Sequence, residues 1–545
     1  MRRKESHPVF KPYVQNQLSL MPARLDELIP ADHLVRVINQ AIEQLNLEPL
    51  MKQYKGGGTS SFHPVMMLKV VVYGYCEKVY SSRRIAKALR ENVNFMWLSG
   101  NNRPDFRTIN HFRSSRMKGV IDQVFGEVLE YLIEQGYVQM EHYFVDGTKI
   151  EANANKHKVV WEKRNRRYTE RLQKKIQKLL AEIEAVNAAE NAEYGDKDLE
   201  EMGSSGSGGG MDAERLAEKM AELNQRLAEQ PENKELKRAV KTIQKDYLPR
   251  MQKYEEQERK LAGRSSYSKT DEDASCMRMK EDRGAEKPWP KPAYNVQLGT
   301  EDQFIVGFSI HQRAGDPGCL IPHLEQVRAR QGRLPKNIIA DAAYGSEENY
   351  DYTERNQLGN YLKYNTFHQE QQKHRKPELL RKKLFQAENF PYDAEKDEFI
   401  CPDQKRLTYR RTLHVKSDNG YVAERREYEC AECANCPIRA ECTKAKGNRR
   451  IRISFRLQRF RVQARENLLS PEGQVLRKKR SVEVETVFGH SKHNMGLRRF
   501  MLRGKEKVHT ELGVHCIAHD MKKMHSKQQA KRAEIARNMQ KLAAG

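Results

Sequence analysis

The spacing of apolar positions changes several times along the chain. HPVMMLKVVVYGYCEKVY is an apolar stretch of helical length near the start. SSRRIAKALRENVNFMWLSG follows, with Ile85, Leu89 and Phe95–Met96 spaced for one buried face, and Ser81 or Ser82 is the expected cap. Asn101–Arg103 and Pro104 make a turn. Asp105 then opens a short basic helix, DFRTINHFRSSR. Helix, turn and basic helix suit docking on DNA, with Arg83, Arg84 and Arg107 as candidate phosphate contacts. A plain helical bundle with solvated arginines fits this segment equally well.

From residue 139 the pattern becomes β-prone: Tyr143, Phe144 and Val145 run into Asp146 and a glycine. Residues 161–289 are then a charged helical insertion and linker. Leu172, Ile176, Leu179, Ile183 and Val186 form one stripe; Leu216, Met220, Leu223 and Leu227 form another. GSSGSGGG between them predicts a flexible loop, and the two stripes predict an antiparallel helical hairpin. Its second arm is interrupted at Pro231 and resumes through Leu236, Val240 and Ile243.

Alternation resumes over 290–370. AYNVQLGT and QFIVGFSIHQ predict a β-hairpin around Glu301–Asp302, CLIPHLEQVRARQG a helix, NIIADAAYG a short buried strand and GNYLKYNTF another. Residues 371–454 are a cysteine-bearing basic insertion, 455–525 are helical and basic, and 526–545 are a basic, helix-prone tail. With both insertions set aside, the order is strand with Asp146, hairpin, helix, strand with Asp341, strand, helix with Glu485. That is the element order of an RNase H-like fold. The expected class is therefore multidomain α/β: an all-α N-terminal domain over 1–138 and a mixed-sheet core in three pieces, 139–160, 290–370 and 455–525. In such a core the first and fourth strands are neighbours, so their acids converge.

Charge narrows the partner. The formal net charge of +24 calls for a polyanion. No apolar run reaches the ~18 residues needed to span a bilayer, and MRRKESHPVF leads into no apolar signal core. A cytoplasmic protein that binds nucleic acid and no membrane is expected.

The acids then suggest chemistry. Breaking or exchanging a phosphodiester needs an activated oxygen nucleophile and a neutralised leaving oxygen. Two Mg²⁺ or Mn²⁺ ions about 3.5–4 Å apart supply both, and they favour hard oxygen ligands. Asp146 follows the buried run Tyr143–Val145, and Asp341 follows Ile338–Ala340; packing needs neither acid. For each alone, a strand-end carboxylate bound to water or capping a turn is an equal alternative. In VLRKKRSVEVETVFGHSKHNMGLRRFMLRG, Glu485 and Lys492 are seven apart and project from one helical face. Glu483, two positions from Glu485, lies about 200° round the helix, so only one of the pair serves the site. Arg477, Lys478, Lys479 and Arg480 precede this segment, and Arg498, Arg499 and Arg503 follow it; Arg480, Lys492, Arg498 and Arg499 are candidate DNA phosphate contacts. A solvated helix with an incidental Glu–Lys pair is the blander reading.

FHPVMMLKVVVYGY with SSRRIAKALREN, HYFVDGTKIEANANK, KPAYNVQ, NIIADAAYGSEENY and RSVEVETVFGHSKHNMGLRRF together resemble bacterial insertion-sequence transposases of the DDE type. The resemblance implies Asp146, Asp341 and Glu485 as ligands of Mg²⁺ or Mn²⁺. It also implies an Arg–Glu–Lys signature, here Arg480, Glu485 and Lys492, on the last catalytic helix. Four residues separate Arg480 from Glu485, where the signature has three, and the signature's upstream tyrosine is missing. Cutting at transposon ends, joining of the freed 3′-OH to target double-stranded DNA, and a homodimer in the active complex are the implied activity and assembly. A nuclease without strand transfer, a non-catalytic DNA-binding relative and a structural RNA-binding protein stay open as rivals.

Five of the nine cysteines fall between 401 and 442. CxxC spacing presents two thiolates to one ion. Cys401, Cys433, Cys436 and Cys442 are the preferred structural Zn²⁺ set, with Cys430 as the alternative; a cluster of free thiols is the rival. Thiolates do not suit Mg²⁺ chemistry, so this site is distinct from the acids. Asp271 and Asp273 are expected in a solvated loop, with a role as spare ligands as the alternative. His490 and His493 flank Lys492, and Tyr344 and Asn349 are candidate groove residues.

Overall fold

The computed structural model describes residues 24–54, 61–194, 211–282, 289–371 and 384–544. The loop expected at GSSGSGGG and the side chain of Val186 lie outside the described residues. The architecture is mixed α/β. Its strands are β1 (His142–Glu151), β2 (Val159–Trp161), β3 (Ser266–Ser268), β4 (Ser275–Met277), β5 (Lys291–Glu301), β6 (Phe304–His311), β7 (Asn337–Ala340) and β8 (Gly359–Leu362). A second group follows: β9 (Tyr392–Asp393), β10 (Glu398–Ile400), β11 (Arg406–Lys416), β12 (Val422–Cys430) and β13 (Arg450–Ile453).

The central sheet runs β4–β5–β1–β7–β8, with β6 also paired to β5. β1 is antiparallel to β5 and parallel to β7, and β7 is parallel to β8. The hairpin expected around Glu301–Asp302 is β5–β6. Two devices fix β1. The Glu301 carboxylate accepts from the backbone N–H groups of Gln139, Met140, Glu141 and His142, at 2.6–2.9 Å. The Tyr143 ring lies across Gly299 and Gly307, where an added Cβ would come within 1.7 and 2.1 Å of it. Its hydroxyl meets His323 at 2.6 Å, on helix Leu320–Gln331. Strand alternation sends Phe144 and Asp146 to the other face. There the helical run Pro471–Asn494 covers the sheet, with Lys479 Nζ 5.8 Å from the Phe144 ring centre.

The N-terminal helices are not set apart. Helix Pro64–Cys76 is buried nearly all round, so it needs cover on every side. Helix Lys505–Ala544 supplies part of that cover and packs against β6 as well, giving one apolar core from Ile29 to Met524. The same helix runs unbroken across positions 525 and 526, where a separate tail was expected. Its Asp520 accepts from Ile305 N–H at 2.8 Å and its Glu511 from the N–H groups of Met501 and Leu502.

The insertion forms helices Glu162–Tyr194, Ala213–Glu229, Lys234–Thr242 and Leu248–Leu261. Leu172, Ile176, Ile183, Leu216, Leu223, Leu236, Val240 and Ile243 share its own small core. Helix Glu162–Tyr194 packs there against Leu248–Leu261, Asn165 donating to Tyr254 O. Helix Ala213–Glu229 starts beside Gln173, which donates to Met211 O, and ends near Ile183, so it runs in the same direction as the first helix and the expected antiparallel hairpin of the two stripes is not formed. The break at Pro231 is real, and Asn233 caps the next helix by accepting from Leu236 N–H at 3.0 Å. β2 and β3 pair at the base of the insertion. The cysteine-bearing segment is a five-stranded antiparallel sheet, β13–β12–β11–β10–β9, with a core of its own. Among the described residues, no helix is long and apolar enough to cross a membrane.

Candidate active site

The acids are brought together by strand register. Val145 pairs with Ala340, and Ala340 with Leu362. The residues that follow, Asp146, Asp341 and Lys363, therefore lie side by side at the same level of three neighbouring parallel strands. Asp341 leaves β7 and caps the short turn Ala342–Tyr344, accepting from Ala343 N–H at 2.9 Å. Gly147 is required beside Asp146, since a Cβ there would stand 2.3 Å from Gln297 Nε2 and 2.5 Å from Asp316 Oδ1. Asp316 in turn accepts from Asn295 and Gln297, forming a buried polar floor under the strand.

The third acid arrives on the covering helix, and one guanidinium links all three. Arg480 Nη2 lies 3.3 Å from Asp146 Oδ2 and 3.7 Å from Asp341 Oδ2, and its Nη1 lies 3.9 Å from Glu485 Oε1. The extra residue between Arg480 and Glu485 is absorbed by a π-helical turn, Ser481–Glu485. In an α-helix five steps leave two residues about 140° apart. A turn closed by i→i+5 bonding returns the second residue toward the first. A further π-turn, His490–Asn494, holds the half-buried Lys492.

Burial separates the two glutamates. Glu483 is 3 % exposed, accepts from Gln303 N–H at 2.7 Å and pairs with Lys479 at 3.6 Å. It pins the helix to the β5–β6 turn, and burial pushes its carboxyl up from the usual range. The Glu485 side chain is 62 % exposed and faces the acids.

Asp146 is mostly buried, which pushes its carboxyl up; Lys280 and Arg480 oppose this, while Asp341 adds to it. Lys280 Nζ also donates to Gly147 O at 3.1 Å. Lys363 is pushed down by burial and by Arg480 and Arg477, against the pull of Asp341 and Glu485. Lys280 and Lys363 are site residues missed in the sequence. Lys363 had a signal, because it follows the β8 run GNYL as Asp341 follows NIIA.

All three acids offer hard carboxylate oxygen, the donor type that suits Mg²⁺ or Mn²⁺. Among the described residues no three carboxylates, imidazoles or thiols already stand as a closed metal cage. The acids stand around Arg480 instead.

Several other candidates have different work. Arg499 donates to the carbonyls of Ala152 and Ala154, and Arg503 to that of Asn153, fastening the chain after Glu485 to the end of β1. Arg498 donates to His493 Nδ1 at 3.1 Å. His490 turns inward and meets His519 at 3.0 Å. Tyr344 and Asn349 do not line a groove: both are buried, Tyr344 bonded to Gln297 and Asn349 to the carbonyls of Pro317 and Tyr344. The loop expected to be solvated at Asp271 and Asp273 is also an anchor. Asp271 is buried and accepts from Tyr294 OH and Gly504 N–H, and Asp273 accepts from Lys505 N–H.

In the N-terminal helices Asp105 caps as expected, accepting from Thr108 N–H at 2.7 Å. Ser81 occupies its cap position without a side-chain bond, and Ser82 Oγ accepts from Arg113 instead. Arg113 is buried and also donates to Tyr75 OH and Tyr80 O, so it serves the core. Arg83, Arg84 and Arg107 are exposed, and the guanidinium groups of Arg83 and Arg107 both lie over Phe106, at 4.7 and 5.7 Å.

Cys401, Cys430, Cys433, Cys436 and Cys442 all line one small cleft at the end of the second sheet. Backbone N–H groups point at two of the sulfurs: Lys405 N–H to Cys401 Sγ and Arg449 N–H to Cys433 Sγ, each at 3.3 Å. Burial pushes the thiols of Cys430, Cys436 and Cys442 up.

Residues 400–525, with the cysteines and Glu485, match the family described as transposase DDE domain. Residues 23–115 match that described as transposase domain (DUF772). No curated protein and no solved structure matches the chain. Two separate stretches, together less than half of the chain, thus match transposase families, and these matches support an insertion-sequence DDE transposase.

Proposed function

We propose that the chain cuts DNA at the ends of an insertion sequence and joins the freed 3′-OH to target DNA. The observation that carries this reading is the meeting of Asp146, Asp341 and Glu485 at one cation, from two adjacent parallel strands and a covering helix. The strand order, with β5 and β6 antiparallel on one side of β1 and β7 and β8 parallel on the other, supports an RNase H-like core.

Asp146 and Asp341 are the fixed ligands, because register sets both. Glu485 is the adjustable ligand, because it is exposed and sits on a π-turn. Mg²⁺ or Mn²⁺, when bound, would sharpen the attacking oxygen and take up charge on the leaving oxygen. Lys363, Lys280 and Arg477 give the site a cationic border suited to a phosphate backbone. Arg480 and Lys492 extend it along the covering helix and Arg498 just beyond its end, while Arg83, Arg84 and Arg107 form a second basic patch for double-stranded DNA. Work on two element ends calls for a homodimer in the active complex, in the cytoplasm.

The cysteine cleft is proposed to hold one structural Zn²⁺ through Cys401, Cys433, Cys436 and Cys442. The two N–H···S contacts support Cys401 and Cys433, since such bonds stabilise thiolates. Cys430 is 1 % exposed within the sheet core, which fits a spare cysteine.

The test is incubation of linear DNA carrying the element's ends with Mg²⁺ or Mn²⁺, beside Asp146→Ala. Metal-dependent cuts at the ends, absent in the variant, with joined products, support the proposal. Cuts without joined products favour a nuclease. Binding without cuts under either metal overturns the catalytic reading.

A further inference from the structure

Arg480 is buried, with a side chain 10 % exposed, beneath a site whose three acids it reaches at 3.3–3.9 Å. Its Nε is buried without a hydrogen-bond partner. The side chain is thus held chiefly by charge, through contacts longer than the 2.7–2.9 Å of tight charge-assisted bonds. The same carboxylate oxygens are the ones a divalent ion would use. A guanidinium and a divalent cation at one set of oxygens repel each other, and each weakens the hold of the other. The π-turn gives this contact a structural origin. Its exposed Val482, 55 % accessible, is not needed by the core, yet the added residue swings Arg480 and Glu485 onto one side of the helix.

Resting on the metal-site reading above, we infer that Arg480 is a positioning residue that competes with the divalent metal for Asp146, Asp341 and Glu485. Metal loading releases its guanidinium toward the open, Glu485 side of the site, where a DNA phosphate oxygen receives it. DNA favours the released position and so favours metal. By reciprocity, metal tightens the grip on DNA by the same factor. One side chain thereby suppresses metal loading on protein without DNA.

Mn²⁺ binding to the chelator-stripped full chain, read from the free-Mn²⁺ spin-resonance signal with and without duplex DNA, tests this without any turnover. Wild type is expected to bind Mn²⁺ about tenfold more tightly with DNA than without. Arg480→Gln is expected to reach the tighter value without DNA and to gain little from adding it. Deletion of Val482, which restores α-helical spacing and keeps the arginine, is expected to behave like Arg480→Gln. Thermal melting accompanies each variant: Arg480→Gln melts lower than wild type, and Mn²⁺ recovers the difference. Unchanged or weaker Mn²⁺ binding in both folded variants overturns the competition. Asp146→Asn serves as the control for the site itself: Mn²⁺ binding that survives this change puts the metal elsewhere and overturns the metal-site reading instead.

Discussion

Asp146, Asp341 and Glu485 come from segments separated by long insertions, as Cys401 comes to Cys433, Cys436 and Cys442 from across a sheet, yet the two groups are held in opposite ways. The acids sit at the ends of neighbouring strands and on a helix, with a buried arginine among them. Their mutual repulsion is answered by a side-chain cation. The thiols line one cleft at the end of a small sheet, and backbone N–H groups point at the sulfurs of Cys401 and Cys433. Under the proposed function the difference separates two tasks. Hard oxygens around a side-chain cation would suit a metal that works on phosphate, whereas soft sulfurs would suit a metal that only fastens.

Removing one acid should separate the two regions most sharply. Asp146→Ala is expected to lower the rate of end cutting at least about 10³-fold, as for other groups that act as a unit, while zinc content and melting stay near wild type. Gel analysis of the cut product and metal analysis of the same preparation check this. The reverse experiment is Cys433→Ser with Cys436→Ser. Zinc should fall from about one per chain to near zero, and proteolysis should open residues 398–453 first. A chain that loses no zinc, or never held any, would return this region to free thiols.

The two glutamates of the covering helix give a finer contrast. Glu485→Gln should abolish cutting and leave melting unchanged. Glu483→Ala should cost about 1–3 kcal/mol of stability, because the N–H of Gln303 loses its acceptor, and should leave cutting within a few-fold once the protein is folded. Chemical denaturation beside the cutting assay decides. Smallest of all, Arg107→Ala should weaken DNA binding alike for any sequence and reduce the salt slope by about 1; affinity measured across a salt series shows it.

Much of the fold was legible because the central strands are short apolar runs ending at an unneeded polar residue. NIIA before Asp341 and HYFV before Asp146 carry both the strand and the candidate site. The β5–β6 hairpin and the two stripes of the insertion were readable for the same reason, a clear period. What hid was long-range. The single core joining the N-terminal helices to the sheet depends on helix Lys505–Ala544, whose partners lie hundreds of residues away. The buried roles of Asp271, Arg113 and Tyr344 depend on chain crossings that no local pattern records. The place of Arg480 was hidden by a spacing one residue too long for an α-helix, which the π-turn corrects. Lys280 had no strand of its own to announce it. Lys363 did, at the position matching Asp341 on the next strand.

The claim that the acids hold the working metal is tested most directly by a change of ligand hardness at Asp341. Asp341→Cys replaces a hard oxygen with a sulfur that Mn²⁺ accepts more readily than Mg²⁺ does. The account predicts that this variant, folded as judged by its melting, cuts element-end DNA poorly in Mg²⁺ and recovers in Mn²⁺. Equal loss in both metals, or activity in Mg²⁺ equal to wild type, would contradict it.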